Sequence, residues 1–422
     1  MQVFKFGGAS VANHDKIRNA GKILEQFRNQ KIILIVSAMG KTTNALEKVA
    51  AAFFEGRKAE ALELFEAVKQ QHLKEAKYLL VTHYNELAEH FQDFFTEIEW
   101  LLQEKPVRSF DYYYDQIVCI GELLSTALVS AYLNEAGLTN QWLDVRDILR
   151  TDNNFRDAAI DFNYSKAQCD RLVKPLFETY NLVVSQGFIG CTDENESTTL
   201  GREGSDYTAA VFAHLMDAES LSIWKDVKGV MNADPKKFPD AIYLEALNYD
   251  EVIEMAYYGA QVIHPKTIKP LQNKNIPLYV KCFDDFRLPG TVIHNRPVKN
   301  LPPILVIKEN QVLLQMHTKD FSFIGEKPMS DLYEMMANLK IKPNLIQTHA
   351  VHLQLCLDDR SDKIEQLALA ASESFEVSVE KGLSLLSIRH YTEALLEKMT
   401  KGKEVVLRQQ SPETVQVLMK NN

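Results

Sequence analysis

The chain has 422 residues, of which 46% are apolar and 25% charged, with 47 Lys and Arg against 57 Asp and Glu for a formal net charge of −10. At roughly 150 residues per domain this length suggests two or three domains, and the composition excludes collagen-like, low-complexity and disordered chains. The acidic balance argues against binding nucleic acid or anionic membranes in general, so any anion bound here must meet a local cluster of cations.

Gln2 to Phe6 reads as a strand, 13–29 as a helix opened by Asn13, and Ile32 to Val36 as a buried parallel strand, which together make a βαβ unit. Residues 41–104 carry a helical pattern rich in Ala, Glu, Leu and Lys that ends at Pro106. A further helix is expected over 111–136 with Gly137 as its C-cap, then a short strand from Trp142 to Val145. Residues 182–190 are apolar without alternation, which predicts one strand buried on both faces of a parallel sheet. Strand and helix alternate from there to about 280, so a doubly wound, mostly parallel α/β domain is expected over 1–295. The stretch with Pro297, Pro302 and Pro303 marks a boundary. Within 300–422 the pattern changes to ferredoxin-like α+β. Strands are expected at 311–316, 345–348, 351–357 and 375–380, with helices at 330–339 and 362–372. A second, shortened set follows, with strands at 383–388, 404–407 and 414–419, a helix at 392–399 and no room for a closing helix.

No run approaches the ~18 consecutive apolar residues needed to cross a bilayer, and Lys5 interrupts the first apolar run where a signal peptide would need its apolar core. The cysteines, Cys119, Cys169, Cys191, Cys282 and Cys356, lack CxxC spacing and nearby zinc-type His partners, so reduced, buried thiols in a cytoplasmic protein are expected.

Four clusters could carry chemistry. Lys5-Phe6-Gly7-Gly8-Ala9-Ser10 ends a strand with a lysine and a Gly-Gly loop, which could hold a phosphate, although a two-glycine turn after a strand is more often only a turn. In the run from Ser197 to Ala210, small hydroxyl residues and two glycines lead into a helix opened by Ser205 or Asp206. Arg202 between those glycines is placed to meet a carboxylate; a capped helix with a polar lead-in would explain Ser205 and Asp206 but not Arg202. Trp224 to Lys236 runs from a strand end into a lysine-rich loop, either a nucleotide edge or a solvated loop. His264 precedes Pro265 and reads as a helix cap rather than a base. Glu122 sits beside Gly121 on an apolar helix, paired in a site or reaching the surface.

Taken together, the runs 5–10, Gly121 to Thr126, Thr198 to Ala210, Trp224 to Lys236 and Gly259 to Pro265 closely resemble aspartate kinases, in order and spacing along essentially the whole chain. The resemblance implies an amino-acid-kinase fold followed by ACT domains. It also implies transfer of the γ-phosphate of MgATP to the β-carboxylate of L-aspartate, giving 4-phospho-L-aspartate for lysine, threonine and methionine synthesis. Carried over residue by residue, Lys5 and Asp206 are the catalytic pair. Gly8, Ala9, Ser10, Glu122, Thr199, Arg202, Gly204 and Ser205 bind the substrate. Lys5, Gly7, Gly8, Ser10, Lys225, Asp226, Met231, Asp234, Lys236 and Gln261 bind the nucleotide, with no residues dedicated to metal. A homodimer paired through its ACT units and an amino-acid effector are further implications.

Several positions depart from the family pattern. Ala9 stands for a usual Thr, Glu203 for Gly, Lys225 for Thr, Met231 for Tyr, Lys236 for Arg and Gln261 for Lys. Lys225 is expected to supply the charge that Gln261 lacks. Lys342-Pro343-Asn344 stands where lysine-sensitive members have Ser-Val-Asp, which removes an acidic contact for an effector's ammonium. The alternatives are a kinase of another small acid, disfavoured by the ACT-like tail and the run from Gly201 to Ala209, and a non-catalytic sensing subunit, disfavoured because Lys5, Glu122, Arg202 and Asp206 are all kept.

Overall fold

The structure, a computed structural model, describes residues 1–260, 262–320 and 322–420. In chain order come β1 (Gln2–Phe6), α1 (His14–Glu25), β2 (Ile32–Val36), α2 (Thr42–Phe54), α3 (Lys58–Leu79), α4 (Tyr84–Gln103), α5 (Phe110–Val118), α6 (Ile120–Glu135), β3 (Asn140–Leu143), α7 (Phe162–Gln168) and β4 (Leu182–Gln186). A hairpin of β5 (Ile189–Cys191) and β6 (Ser197–Thr199) follows, then α8 (Gly204–Leu215), β7 (Ser220–Lys225), β8 (Ala246–Asn248), α9 (Tyr249–Tyr258), α10 (Pro265–Gln272), β9 (Leu278–Cys282) and β10 (Thr291–His294). The chain divides into two units. The first comprises Met1–Val230, Tyr243–Ile253 and Val262–Val298, and the second Met231–Ile242, Glu254–Gln261 and Lys299–Asn422.

The first unit is built on one sheet with strand order β3-β4-β2-β1-β7-β9-β10-β8, parallel throughout except between β9 and β10. Parallel neighbours need crossover helices that cover both faces, and the fully buried run of β2 is the result. Phe4, Phe6, Trp224 and Phe283 stack across β1, β7 and the segment after β9, with Phe4 to Trp224 centroids 5.7 Å apart and Phe6 to Phe283 5.4 Å. Burying a ring of this kind contributes about 2 kcal/mol. The strand order reverses at β1, with β2, β4 and β3 on one side and β7 and β9 on the other. In an open α/β sheet the crevice at such a reversal, off the carboxyl ends of the strands, is where ligands bind.

Four expectations shift. The helical stretch 41–104 is three helices, broken by a left-handed Gly56 (φ 78°) and by the turn at 80–83. The helix expected over 111–136 is two, α5 and α6, meeting at Cys119. This stretch is apolar enough by length and composition to cross a bilayer, yet 83% of its apolar window is buried, as in a core helix. β3 lies two residues earlier than expected, because Val145 N is taken by Gln186 Oε1 at 2.7 Å and Asp144 caps the following turn through Arg146 N. The run 182–190 is not one strand. β4 stops at Gln186, Phe188 turns left-handed (φ 73°), and Ile189–Cys191 pairs antiparallel with Ser197–Thr199. Apolarity cannot announce that turn. Gly187 permits it, since a Cβ there would lie 2.6 Å from Ser205 Cβ.

The second unit carries β11 (Ile304–Thr318), α11 (Glu326–Asn338), β12 (Leu345–Thr348), β13 (His352–Asp358), α12 (Ser361–Ala371), β14 (Phe375–Arg389), α13 (Glu393–Thr400), β15 (Val405–Gln410) and β16 (Thr414–Lys420). They form one antiparallel sheet, ordered β12-β13-β11-β14-β16-β15. α11 and α12 cover Val312, Leu314, Met316, Leu353 and Leu355, while α13 covers Leu386, Ile388, Val415 and Val417. The two sets expected from the sequence share strands. β11 and β14 are each fifteen residues long and serve both sets, and Ile304 to Lys308 supplies the fourth strand of the second. A register shift between Lys308 and Gln311, beside a left-handed Asn310 (φ 55°), separates the two halves of β11. The loop Met231–Ile242 folds onto this sheet. Ala233, Phe238 and Ala241 join its core, and Asn232 bonds Pro303 O at 2.8 Å and accepts from Leu305 N at 2.8 Å.

Candidate functional site

At the reversal point the first unit encloses a cavity of about 600 Å³. β1 contributes Lys5 and the loop Gly7 to Ser10; Ser37, Ala38 and Gly40 follow β2; Trp224, Lys225 and Asp226 end β7. Glu122 comes from α6, Thr199 from β6, and Arg202 to Asp206 from the start of α8. Thus Lys5, Gly7, Gly8, Ala9, Ser10, Glu122, Thr199, Arg202, Gly204, Ser205, Asp206, Lys225 and Asp226 converge on one cavity. Met231, Asp234 and Lys236 do not line it. They lie on the loop of the second unit, where Asp234 accepts from Lys236 N at 2.9 Å. Gln261 lies outside the described residues.

The charges are arranged around Asp206. Lys5 Nζ is 2.6 Å from its Oδ1, as an ion pair without good hydrogen-bond alignment, and Lys225 Nζ is 3.6 Å from its Oδ2. Burial pushes the Asp206 carboxyl up, but Lys5 and Lys225 more than offset it, so the group stays ionised below the usual carboxylate range. Lys225 also donates to Val262 O at 2.7 Å, which fixes its ammonium over the site.

The Gly-Gly loop wraps this cluster. A Cβ on Gly8 would stand 2.7 Å from Ala38 O and 3.1 Å from Gly40 O, and Gly40 N donates to Gly8 O at 3.0 Å, so only glycine lets the two loops close. The loop does not lead straight into a long helix. Gly8–Val11 is a single 3₁₀ turn, and α1 begins beyond it with Asn13 accepting from Lys16 N at 3.0 Å. The helix whose amino end meets the cavity is α8, opened at Gly204 after a left-handed Glu203 (φ 54°) rather than at Ser205 or Asp206. Gly204 N donates to Gly201 O at 3.1 Å, and the partial positive charge of a helix amino end favours a negative group nearby.

Glu122 is fully buried. Its Oε1 accepts from Ala38 N at 3.3 Å, its Oε2 has no hydrogen-bond partner among the described residues, and burial pushes the carboxyl up to about 8. Glu203 turns its charge aside, accepting from His264 N at 2.9 Å, and His264 in turn caps α10 by accepting from Lys266 N at 3.2 Å. Arg202 is exposed and makes no hydrogen bond or ion pair among the described residues.

The sequence reading missed part of the wall. Tyr114, Phe188 and Arg156 line it, and the Asp115 behind them accepts from Thr199 N (2.8 Å), Thr199 Oγ1 (2.7 Å) and Arg156 N (3.0 Å). Nothing in the spacing of Asn154-Phe155-Arg156 marks it as part of a site; a long-range backbone approach does.

Comparisons with known proteins show the family. A model of the amino acid kinase family matches residues 1–282. Lysine-sensitive aspartokinase 3 of Escherichia coli (strain K12) is 31% identical over 398 residues, covering 92% of this chain and 86% of that protein. Two crystal structures of E. coli aspartokinase III are similar at 28% identity. The first, in complex with aspartate and ADP (R-state), has a TM-score of 0.84 and covers 100% of this chain and 96% of that one. The second, with lysine and aspartate (T-state), has a TM-score of 0.82 over 99% and 95%. The chain belongs to the amino acid kinase family, and within it to the aspartokinases.

Proposed function

We propose that this chain is the aspartate kinase of its cell, transferring the γ-phosphate of ATP to the β-carboxylate of L-aspartate. The observation that carries the reading is the buried Lys5–Asp206–Lys225 cluster beside the Gly7-Gly8 loop. The acceptor carboxylate is already an anion at neutral pH and needs no general base. It needs shielding from an equally negative phosphate and in-line placement. A β-carboxylate oxygen forms the new bond to phosphorus as the bond to the ADP oxygen breaks. Lys5 holds the transferring phosphoryl oxygens, and Asp206 keeps Lys5 and Lys225 in place. The amino end of α8 and the loop Gly7 to Ser10 surround the phosphate, Arg202 clamps the substrate α-carboxylate, and Glu122 faces its ammonium. Mg²⁺ carried with the nucleotide would neutralise phosphate charge. Asp226, an exposed cavity carboxylate without an ion pair among the described residues, fits a cation carried by the nucleotide.

In this reading 1–295 is catalytic, and 300–422 holds two ACT-like units that regulate it and pair a homodimer through their sheet edges. A cytoplasmic location suits five free, buried cysteines. The side chain of Asn344 is already engaged. It accepts from Lys308 Nζ at 2.6 Å and donates to Gln311 Oε1 at 2.7 Å and Asp358 Oδ1 at 2.8 Å, so it is committed to neighbouring side chains rather than offered to an effector.

The test is ADP release from MgATP with L-aspartate while hydroxylamine traps the acyl phosphate. Aspartate-dependent hydroxamate is expected, and added lysine should leave the rate unchanged. ADP formed without hydroxamate would refute the carboxyl acceptor. Lys225→Thr is expected to raise the KM for ATP roughly 10-fold and leave that for aspartate unchanged, because one of the two cations beside Asp206 is lost; an unaltered KM for ATP would remove Lys225 from the nucleotide site.

A further inference from the structure

We infer that Arg156 is a second reader of the substrate α-carboxylate, facing Arg202, and so determines which acids this site accepts. The inference rests on the aspartate kinase reading above. Arg156 lines the same cavity as Arg202, Glu122 and Thr199. Its backbone abuts the loop that carries Arg202: a Cβ built on Gly201 would lie 3.2 Å from Arg156 O and 2.7 Å from Asp157 Oδ1. Arg156 and Arg202 therefore sit on loops whose backbones touch, and both line the cavity.

The residue is held in a conformation that its own type disfavours. Arg156 has φ 70°, a left-handed backbone that glycine adopts freely and a side chain with a Cβ resists. Such strain persists only where the surroundings over-determine it. Here they do. Arg156 N donates to the buried Asp115 Oδ2 at 3.0 Å, Ala158 N donates to Thr199 O at 3.1 Å, and Asn154 Nδ2 donates to Asp157 O at 2.9 Å. Asp115 bonds Thr199 at the same time, so one carboxylate fixes both Arg156 and Thr199 on the cavity wall.

The guanidinium is oriented but lightly committed. It stacks 4.3 Å from the Tyr114 ring centroid, and the Tyr114 hydroxyl is itself fixed by donating to Glu47 Oε1 at 2.8 Å. Its one ion pair among the described residues is to Asp111 Oδ1 at 3.0 Å, with about half of both side chains exposed. An exposed pair of that kind binds weakly and leaves most of the five N–H donors free, whereas a carboxylate inside the cavity would meet the fork edge-on. Arg202 and Arg156 together hold the α-carboxylate from two sides, with Glu122 on the ammonium, so the site rejects acids that lack the α-carboxylate.

Arg156→Gly is the discriminating variant, because glycine accepts the native φ and should keep the thermal midpoint at or above that of the parent. The expected result is a rise of roughly 10- to 100-fold in the KM for aspartate, with kcat and the KM for ATP much less affected. Discrimination between aspartate and its α-amide should collapse by a similar factor, and Arg156→Lys should restore part of both. Aspartate binding by calorimetry, which needs no turnover, is measured alongside. Weakened binding in Arg156→Gly supports the assignment even if hydroxamate formation fails in both proteins and the kinase reading falls with it. Unchanged aspartate affinity, or unchanged discrimination against the α-amide, overturns it, as does parent protein that does not bind aspartate.

Discussion

Lys5→Ala is expected to abolish aspartate-dependent hydroxamate formation, lowering kcat roughly 10³- to 10⁴-fold with a much smaller change in substrate KM. The ammonium is fixed before substrate arrives: it is nearly buried, ends the central strand and lies 2.6 Å from Asp206. It therefore requires little reorganisation when charge gathers on the transferring group. Removing it also strands Asp206, whose remaining cation is 3.6 Å away. Breaking a buried pair from one side costs about 3–5 kcal/mol, so the single variant should melt earlier. Adding Asp206→Asn removes the stranded charge and should recover much of the thermal midpoint without recovering turnover. Stability returning without activity separates catalytic loss from misfolding; turnover in Lys5→Ala within 10-fold of the parent would remove Lys5 from the chemistry.

Glu122→Gln should make the protein more stable and a worse enzyme. Burial pushes this carboxyl from 4.5 up to about 8 in the folded chain. Below pH 4.5 the group is protonated folded and unfolded. Between pH 4.5 and 8 the unfolded chain releases the proton first, so this group's favourable contribution drains away as pH rises through that window. The gap corresponds to an upper figure of about 5 kcal/mol. The glutamine variant has no such loss, so its advantage in thermal midpoint should be small at pH 4.5 and grow to pH 8. In the parent, an aspartate ammonium beside the free Oε2 favours the carboxylate, so aspartate binding at pH 7 should release close to one proton. Calorimetry in buffers of different ionisation enthalpy measures that number. Glu122→Gln should release none and bind aspartate roughly 100-fold more weakly. A proton count near zero in the parent would place the substrate ammonium elsewhere.

Much of the fold was legible because its signals are local. Ile32 to Val36 is apolar without alternation and is a fully buried parallel strand; Asn13 is a capping residue and caps. The cavity residues Lys5, Gly7 and Gly8 were singled out by their pairing at a strand end, and Arg202 between two glycines had no structural explanation of its own. The way the two ACT-like sets close into one sheet was not visible. Ile304 to Lys308 completes a set whose other strands lie some eighty residues later, and a local pattern carries no record of which edge a strand will find. Nor was the departure of Met231–Ile242 to the second unit, decided by Ala233 and Phe238 joining an apolar core.

By itself the sequence determined the alternation of buried strands and covering helices, the glycines that allow backbone to close on an anion, and the family that those motifs mark. Tertiary structure alone decided that Lys5 and Lys225 share one buried aspartate, that Glu122 is desolvated enough to hold its proton, and that Arg156 lines the same cavity as Arg202. The reason is that propensity and periodicity act over a few residues, whereas desolvation and Coulomb coupling depend on distances through space between groups up to two hundred residues apart.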